Sequence, residues 1–391
     1  MRVIHVITRL IIGGAQENTI ASVIGLRRKP GMDVTLLSGP GIGPEGSLEH
    51  QFESMPGVLA IVPELVRPVH PWKDVRALHR LVFSFRRQKP DIVHTHSGKA
   101  GVLGRLAAET ARVPCIVHTV HGPSFGRFQG AVPNFAYTLA ERRAGRFTDH
   151  FVVVANAMRD QYLAAGIGRP EQYTRILSGF NLQPYLAATN DPHLRRELGI
   201  AETDIVVGKI ARLVELKGHD DLFAIAPQVV QACPRVKFLL VGDGHWRGRF
   251  EQMARASGIG QHFVFTGLVL PEKVPQLVGI MDCLVHLSAR EGLARALPQA
   301  LANAKPVIAC DCDGAGEVCF DGKTGFLVPP GNREVLRARL LELANDADLR
   351  VRLGREGQEF VCSHFSVERM IDDLYDLYRV LHLRPTAPAA Q

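Results

Sequence analysis

Short apolar runs alternate with longer amphipathic stretches along most of the chain. The runs at residues 3–7, 33–37, 60–62, 92–94, 115–119 and 151–154 predict strands. Between them, residues 15–28, 71–88 and 99–110 repeat Ala, Leu and Val at three- and four-residue spacing and predict helices. Strand and helix in alternation are the pattern of βαβ units around a parallel sheet. After residue 181 the chain turns polar, with Pro184, Asn190, Asp191 and Pro192. A second series of strands is then predicted at residues 205–210, 238–241, 262–266, 283–287, 307–309 and 325–328. The expected fold is α/β: two tandem Rossmann-like doubly wound domains, residues 1–185 and 186–366, with an interdomain cleft as the ligand site. Met370, Leu374, Leu377 and Val380 predict a last helix over 367–383, and the Pro/Ala-rich tail beyond it is expected to be loose.

The 391 residues suffice for two or three domains, and 46% hydrophobic against 22% charged residues excludes disorder and fibre. No apolar run approaches the ~18 residues of a membrane span, and the N-terminus lacks the layout of a secretory signal. A cytoplasmic protein is expected. An odd count of seven cysteines fits a reducing compartment better than a disulfide framework. Charge changes the picture more: residues 1–182 carry 22 Lys and Arg against 13 Asp and Glu, and residues 183–391 carry 24 against 26. The first half is therefore at +9 and the second at −2. An anionic partner for the first half is one reading, and ordinary surface variation is the other.

Gly13 and Gly14 stand between the first strand and its helix, where uncovered backbone and a helix N-terminus suit a phosphate; a packing turn is the alternative. A formal GxGxxG match at Gly41, Gly43 and Gly46 follows the second strand instead, and Pro44 interrupts it, so a dinucleotide site is not expected there. Asp311 and Asp313, with Cys310, Cys312 and Cys319 nearby, fit no familiar metal spacing and read as a solvated turn. In the second half, Arg212 and Lys217 lie five residues apart after the first strand, where two cations can clamp a diphosphate. Glu291 and Gly292 precede a helix expected to start near Leu293, placing a carboxylate beside helix-terminal amides.

Taken in order, these segments resemble the family 4 retaining glycosyltransferases of the GT-B fold. The resemblance is carried by the Gly13-Gly14 turn, PDIVHTHSGKAGVLGRLAA from Pro90, HTVHG from His118 and ARLVELKG from Ala211. It continues through LLVGDG from Leu239, FTG from Phe265, SAREGLARAL from Ser288 and DGKTGFLVPPGN from Asp321. Two of its segments, IVPELVRPVHPWKDVRAL and HTHSGKAG, are most similar to bacterial enzymes of capsule, exopolysaccharide and lipopolysaccharide assembly. The resemblance implies a nucleotide-sugar donor on the C-terminal domain and a saccharide or lipid-linked acceptor on the N-terminal one. It also implies a C-terminal helix that packs back on the first domain. Arg212 and Lys217 would bind the donor diphosphate, Gly14 would meet it from the other domain, and Glu291 would hold sugar hydroxyls. His121 would line the sugar pocket, Gly292 and Leu293 would offer amides, and Phe265, Thr266 and Gly267 would lie near the base. No metal or other cofactor is expected, because the cations and a helix N-terminus supply the positive charge that departure of the diphosphate needs. No catalytic base is implied either.

Two positions depart from the family. Gln299 stands where a second Glu usually binds both ribose hydroxyls; an amide offers one acceptor and a donor, so nucleotide binding weaker by about 1–2 kcal/mol is expected. Ala294 replaces a frequent Pro and carries no functional weight. The expected function is metal-independent, retaining sugar transfer in cell-envelope polysaccharide synthesis, at the inner face of the membrane if the +9 half binds anionic lipid. A nucleotide-sugar-binding protein without turnover, and a nucleotide-sugar epimerase or hydrolase, are the alternatives. Nucleic acid is not an expected partner, for want of a recognition motif.

Overall fold

The computed structural model describes residues 1–43, 46–96, 98–126 and 128–383; the Pro/Ala-rich tail and Pro44 lie outside them. The chain divides into two compact units, Met1–Phe180 with the last helix, and Asn181–Ser366. The division falls after residue 180 rather than 185, because the short helix that follows packs within the second unit.

In the first unit the strands are β1 (Arg2–Ile7), β2 (Asp33–Ser38), β3 (Leu59–Ile61), β4 (Ile92–His96), β5 (Cys115–Val120), β6 (His150–Val153) and β7 (Tyr173–Arg175). The helices are α1 (Gly14–Leu26), α2 (Pro71–Gln88), α3 (Gly98–Ala111), α4 (Ala131–Gly145) and α5 (Asn156–Ala164). All strands pair in parallel, in the order β3-β2-β1-β4-β5-β6-β7. Strand β7, too short and polar to show as an apolar run, was not expected. The order reverses between β1 and β4, the place where such sheets bind ligands at their carboxyl ends.

The two-residue period of a strand sorts β1 cleanly. Val3 and Ile7 join the apolar cluster on the α1 face, whereas Ile4 and Val6 join the cluster that packs under α2 and α3. His5 therefore lies on the α1 face, and the register that sets it opposite His94 brings that histidine to the same side.

In the second unit the short helices α6 (Gln183–Leu186) and α7 (Pro192–Glu197) precede strands β8 (Ile205–Ile210), β9 (Val236–Val241), β10 (Phe263–Gly267), β11 (Cys283–His286), β12 (Val307–Cys310) and β13 (Gly325–Val328). Between and after them come α8 (His219–Ala232), α9 (Arg247–Ala256), α10 (Val274–Gly279), α11 (Ala296–Ala302), α12 (Arg333–Asn345) and α13 (Ala347–His364). Asn303 on the far side of α11 donates to the carbonyls of Tyr185 and Ala188, which ties α6 into this unit. The parallel order is β10-β9-β8-β11-β12-β13, so the reversal falls between β8 and β11.

The last helix, α14 (Val367–His382), packs against α1 of the first unit. Its buried stripe is Met370, Leu374, Tyr378 and Leu381. Of the other two residues whose spacing predicts the helix, Leu377 packs against the edge of this cluster. Val380 is instead exposed, because Tyr378 turns inward to polar partners on the sheet. No described helix is long and apolar enough to cross a membrane.

Candidate functional site

The carboxyl ends of β8 and β11 flank the reversal point of the second sheet, and two loops meet there. The β8–α8 loop carries Arg212 and Lys217, and the β11–α11 loop carries Ser288 and Glu291. They are laced together by backbone: Ala289 N–H and the Ser288 hydroxyl both donate to the Leu216 carbonyl, at 2.8 and 3.2 Å. Gly218 makes this approach possible. Its φ is +64°, and a Cβ there would lie 2.0 Å from the Leu287 carbonyl oxygen.

The consequence is an ion pair between Lys217 Nζ and Glu291 Oε1. The same carboxylate oxygen lies 3.2 Å from the Ser288 hydroxyl, whose one proton it shares with the Leu216 carbonyl, while the Glu291 backbone N–H is held by Asp313 at 2.8 Å. Among the described residues no group of the chain hydrogen-bonds Glu291 Oε2. Burial penalises the Glu291 carboxylate, but the Lys217 ammonium, His286 and the Ser288 hydroxyl together outweigh it and hold the pKa below the usual value. Arg212 is exposed in the same loop, and its carbonyl accepts from His219 Nε2 at 3.0 Å. Asp313, with a φ of +47°, is thus committed to the Glu291 loop.

Beneath this pair lie three groups that the sequence reading missed. Lys209, the next-to-last residue of β8, is 1% exposed, and its ammonium has no hydrogen-bond partner among the described residues; burial, then the nearby Lys217, pull its pKa down to about 7. His286 at the end of β11 has both ring nitrogens buried without a hydrogen-bond partner among the described residues, Nε2 lying 3.8 Å from Glu291 Oε1, and burial lowers its pKa to about 3. His219 keeps Nδ1 unpartnered. A lysine inside the otherwise apolar run IVVGKI was the available signal.

The other predicted residues are less closely grouped. Gly292 and Leu293 are buried in the loop, but α11 begins only at Ala296, not near Leu293. Pro298 explains the shift: in the first turn its missing N–H costs nothing, whereas a helix begun at Leu293 would place it in the interior. The amides after Glu291 are therefore loop amides. Gln299 is half-buried on α11. Thr266 and Gly267 end β10, an edge strand separated from β8 by β9; the Thr266 hydroxyl donates to the Gly267 carbonyl at 3.0 Å. Phe265 belongs to the core, stacking towards Phe223 and Phe263.

In the first unit, Gly13 precedes α1 with an extended φ of 169°, a conformation open to any residue. Glycine at 13 and 14 leaves the helix N-terminus uncovered rather than relieving strain. Gly41 and Gly46 do not open a helix: a Cβ on Gly41 would press on the Leu10 carbonyl, and Gly46 accepts from Ile12 N–H. They fasten the loop that leads to Gly13. His121, after β5, lies 3.1 Å from His96 through its Nε2.

Comparison with known proteins agrees with this architecture. A "Glycosyl transferase 4-like domain" matches residues 14–179 and "Glycosyl transferases group 1" matches residues 190–360. An Escherichia coli UDP-Gal:alpha-D-GlcNAc-diphosphoundecaprenol alpha-1,3-galactosyltransferase is 26% identical over 321 residues, 81% of this chain and 82% of the relative. The Staphylococcus aureus capsular polysaccharide biosynthesis glycosyltransferase CapM is 22% identical over 361 residues, 90% of each chain. The crystal structure of Anabaena HepE in complex with UDP and glucose superposes with a TM-score of 0.82 over 97% of this chain and 100% of that one, at 22% identity. With the two domain models together spanning most of its length and the doubly wound units matching solved glycosyltransferases, the chain belongs to the GT-B glycosyltransferases.

Proposed function

We propose that the protein is a retaining, metal-independent glycosyltransferase that moves a sugar from a nucleotide-sugar donor to a saccharide or lipid-linked acceptor in cell-envelope polysaccharide synthesis. The observation that carries this reading is the Lys217–Glu291 pair at the reversal point of the second sheet. Glu291 Oε1 anchors Lys217, and Oε2 remains to accept from sugar hydroxyls. Lys217 and Arg212 stabilise the negative charge that develops as the bond between the anomeric carbon and the diphosphate oxygen breaks. The acceptor oxygen bonds that carbon from the same face, and its proton passes to the departing diphosphate, so no protein base is required. Gly292 and Leu293 offer loop amides, Gln299 takes the ribose, and Thr266 and Gly267 border the base. In the first unit, His121 is the residue proposed to meet sugar, and Gly13 and Gly14 leave the N-terminus of α1 open to an anion. The names of the relatives support the donor and acceptor classes: a UDP-galactose transfer to a diphosphoundecaprenol-linked sugar, and capsule synthesis.

The acceptor side is proposed to work at the inner membrane face. The first half carries the whole net positive charge. On α2, Trp72 and Phe83 are exposed beside Arg76 and Arg86; on α4, Val132 and Phe135 are exposed, with Arg142 and Arg143 at its end. Aromatic and basic residues exposed together suit an anionic lipid surface.

The test is incubation of the purified protein with a panel of UDP-, GDP- and ADP-sugars, with and without lipid-linked acceptors. Acceptor-dependent sugar transfer supports the reading. Binding without turnover, or acceptor-independent conversion of the donor, refutes it in favour of a binding protein or of an epimerase or hydrolase.

A further inference from the structure

The first unit holds a buried polar chain that the proposed chemistry does not use. Strand alternation sets His5 of β1, His94 and His96 of β4 and Thr119 of β5 on the sheet face covered by α14. Tyr378 of α14 inserts its hydroxyl between His94 Nδ1 and His5 Nε2, the latter at 3.2 Å. His94 Nε2 meets the Thr119 hydroxyl at 2.6 Å, and His5 Nδ1 meets His96 Nε2 at 2.9 Å. His96 Nδ1 then meets His121 Nε2 at 3.1 Å. The path Thr119–His94–Tyr378–His5–His96–His121 is continuous.

Burial keeps the three inner histidines neutral: it drops the pKa of His5 to about 3 and lowers those of His94 and His96 well below the usual value. A neutral imidazole has one N–H and one bare nitrogen, and a phenol has one proton to give. Those rules leave two arrangements. If Tyr378 donates to His94, then His94 carries its proton on Nε2 and donates to Thr119. His5 must then donate from Nε2 to Tyr378, His96 from Nε2 to His5, and His121 from Nε2 to His96. If Thr119 donates to His94, every bond reverses and all four histidines carry the proton on Nδ1. Among His5, His96 and His121 any mixture puts two protons or two lone pairs at one contact, and a state in which His94 and His5 both donate to Tyr378 leaves the buried phenol proton without an acceptor. Three imidazoles so close also resemble a metal site. All six of their ring nitrogens already meet hydrogen-bond partners, however, so an ion would have to break the chain.

We propose that Tyr378, His5 and His96 are positioning residues that fix the tautomer of His121, through a one-directional hydrogen-bond chain in which four histidines share one tautomer and change it together. The proposal rests on the reading of His121 as a residue of the sugar pocket. It gives α14 a role beyond packing: the helix closes the circuit that decides whether His121 Nδ1 gives or accepts a proton.

The test is 15N NMR of the full-length protein labelled at histidine, with resonances assigned by single substitutions. Wild type is expected to show His5, His94, His96 and His121 as the same neutral tautomer. Unlike tautomers among the four would overturn the chain. Tyr378→Phe cuts it between His94 and His5, and kcat is expected to fall about tenfold, the lower end of what orienting partners contribute at metal-bound histidines. KM for the donor should stay within about twofold, since ground-state binding is untouched. A folded Tyr378→Phe protein with unchanged kcat would overturn the positioning role. His121→Ala separates the two levels: full activity would refute the placement of His121 at the sugar, even with four matching tautomers.

Discussion

The two units share the order of their first six strands and furnish its reversal point in opposite ways. Between β8 and β11 the chain places charge: a Lys217–Glu291 pair over Lys209 and His286, both buried and without a hydrogen-bond partner among the described residues. Between β1 and β4 it places neutral groups, His5, His94 and His96, whose ring nitrogens all have partners. The fold therefore sets where a ligand sits, and the residues set which part of it is held. A charged floor with unfilled hydrogen-bonding capacity suits a diphosphate, whereas a neutral, saturated one holds a residue such as His121 in a fixed state.

The largest effect should come from breaking the charged side. Lys217→Ala or Glu291→Ala is expected to lower kcat by about 10²–10³-fold, the usual cost of losing a preorganised electrostatic group, read from initial rates of sugar transfer. Full activity in either variant would remove the contrast between the units.

Lys209 offers a second way to probe that side. Its folded pKa lies near 7 and its unfolded value near 10.5. Between these values the unfolded chain binds the extra proton, so Lys209 makes stability rise with pH, by up to about 1.4 kcal/mol per pH unit. Below pH 7 the full cost of burying the charge applies. Lys209→Met should be more stable than wild type at pH 6 and lack this rise, as chemical denaturation from pH 6 to 10 would reveal. Equal slopes for both proteins would contradict the buried charge.

A smaller change should sharpen the site. Gln299→Glu is expected to tighten nucleotide binding by about 1–2 kcal/mol in calorimetric titration, because a carboxylate accepts from both ribose hydroxyls. Equal or weaker binding would place Gln299 away from the ribose. Smallest, and most dependent on conditions, is the surface difference. Sedimentation with anionic liposomes should exceed that with neutral ones and fade as salt rises, and no salt-sensitive preference would leave the +9 as surface variation.

Much of the fold was legible because it rests on local pattern. Strands β8 and β13 and helix α2 fall on their expected residues, since apolar runs and three- and four-residue spacing are properties of neighbouring positions. Arg212, Lys217 and Glu291 could be singled out because their order around two loops is itself a pattern. What escaped depends on distant parts of the chain. Lys209 and His286 read as strand residues until burial shows them without a hydrogen-bond partner among the described residues. The histidine path requires a β1–β4 register and a tyrosine from α14, neither of which any local spacing encodes. The start of α11 was misplaced because the weight of Pro298 depends on where the turn before it begins.

The central claim is metal-independent sugar transfer with retention, driven by the charged reversal point of the second unit. It is tested most directly by proton NMR of the product formed from an α-linked nucleotide sugar in excess EDTA. The account predicts an undiminished rate and an α-linked product. A β-linked product, or transfer abolished by EDTA and restored by a divalent cation, would contradict it.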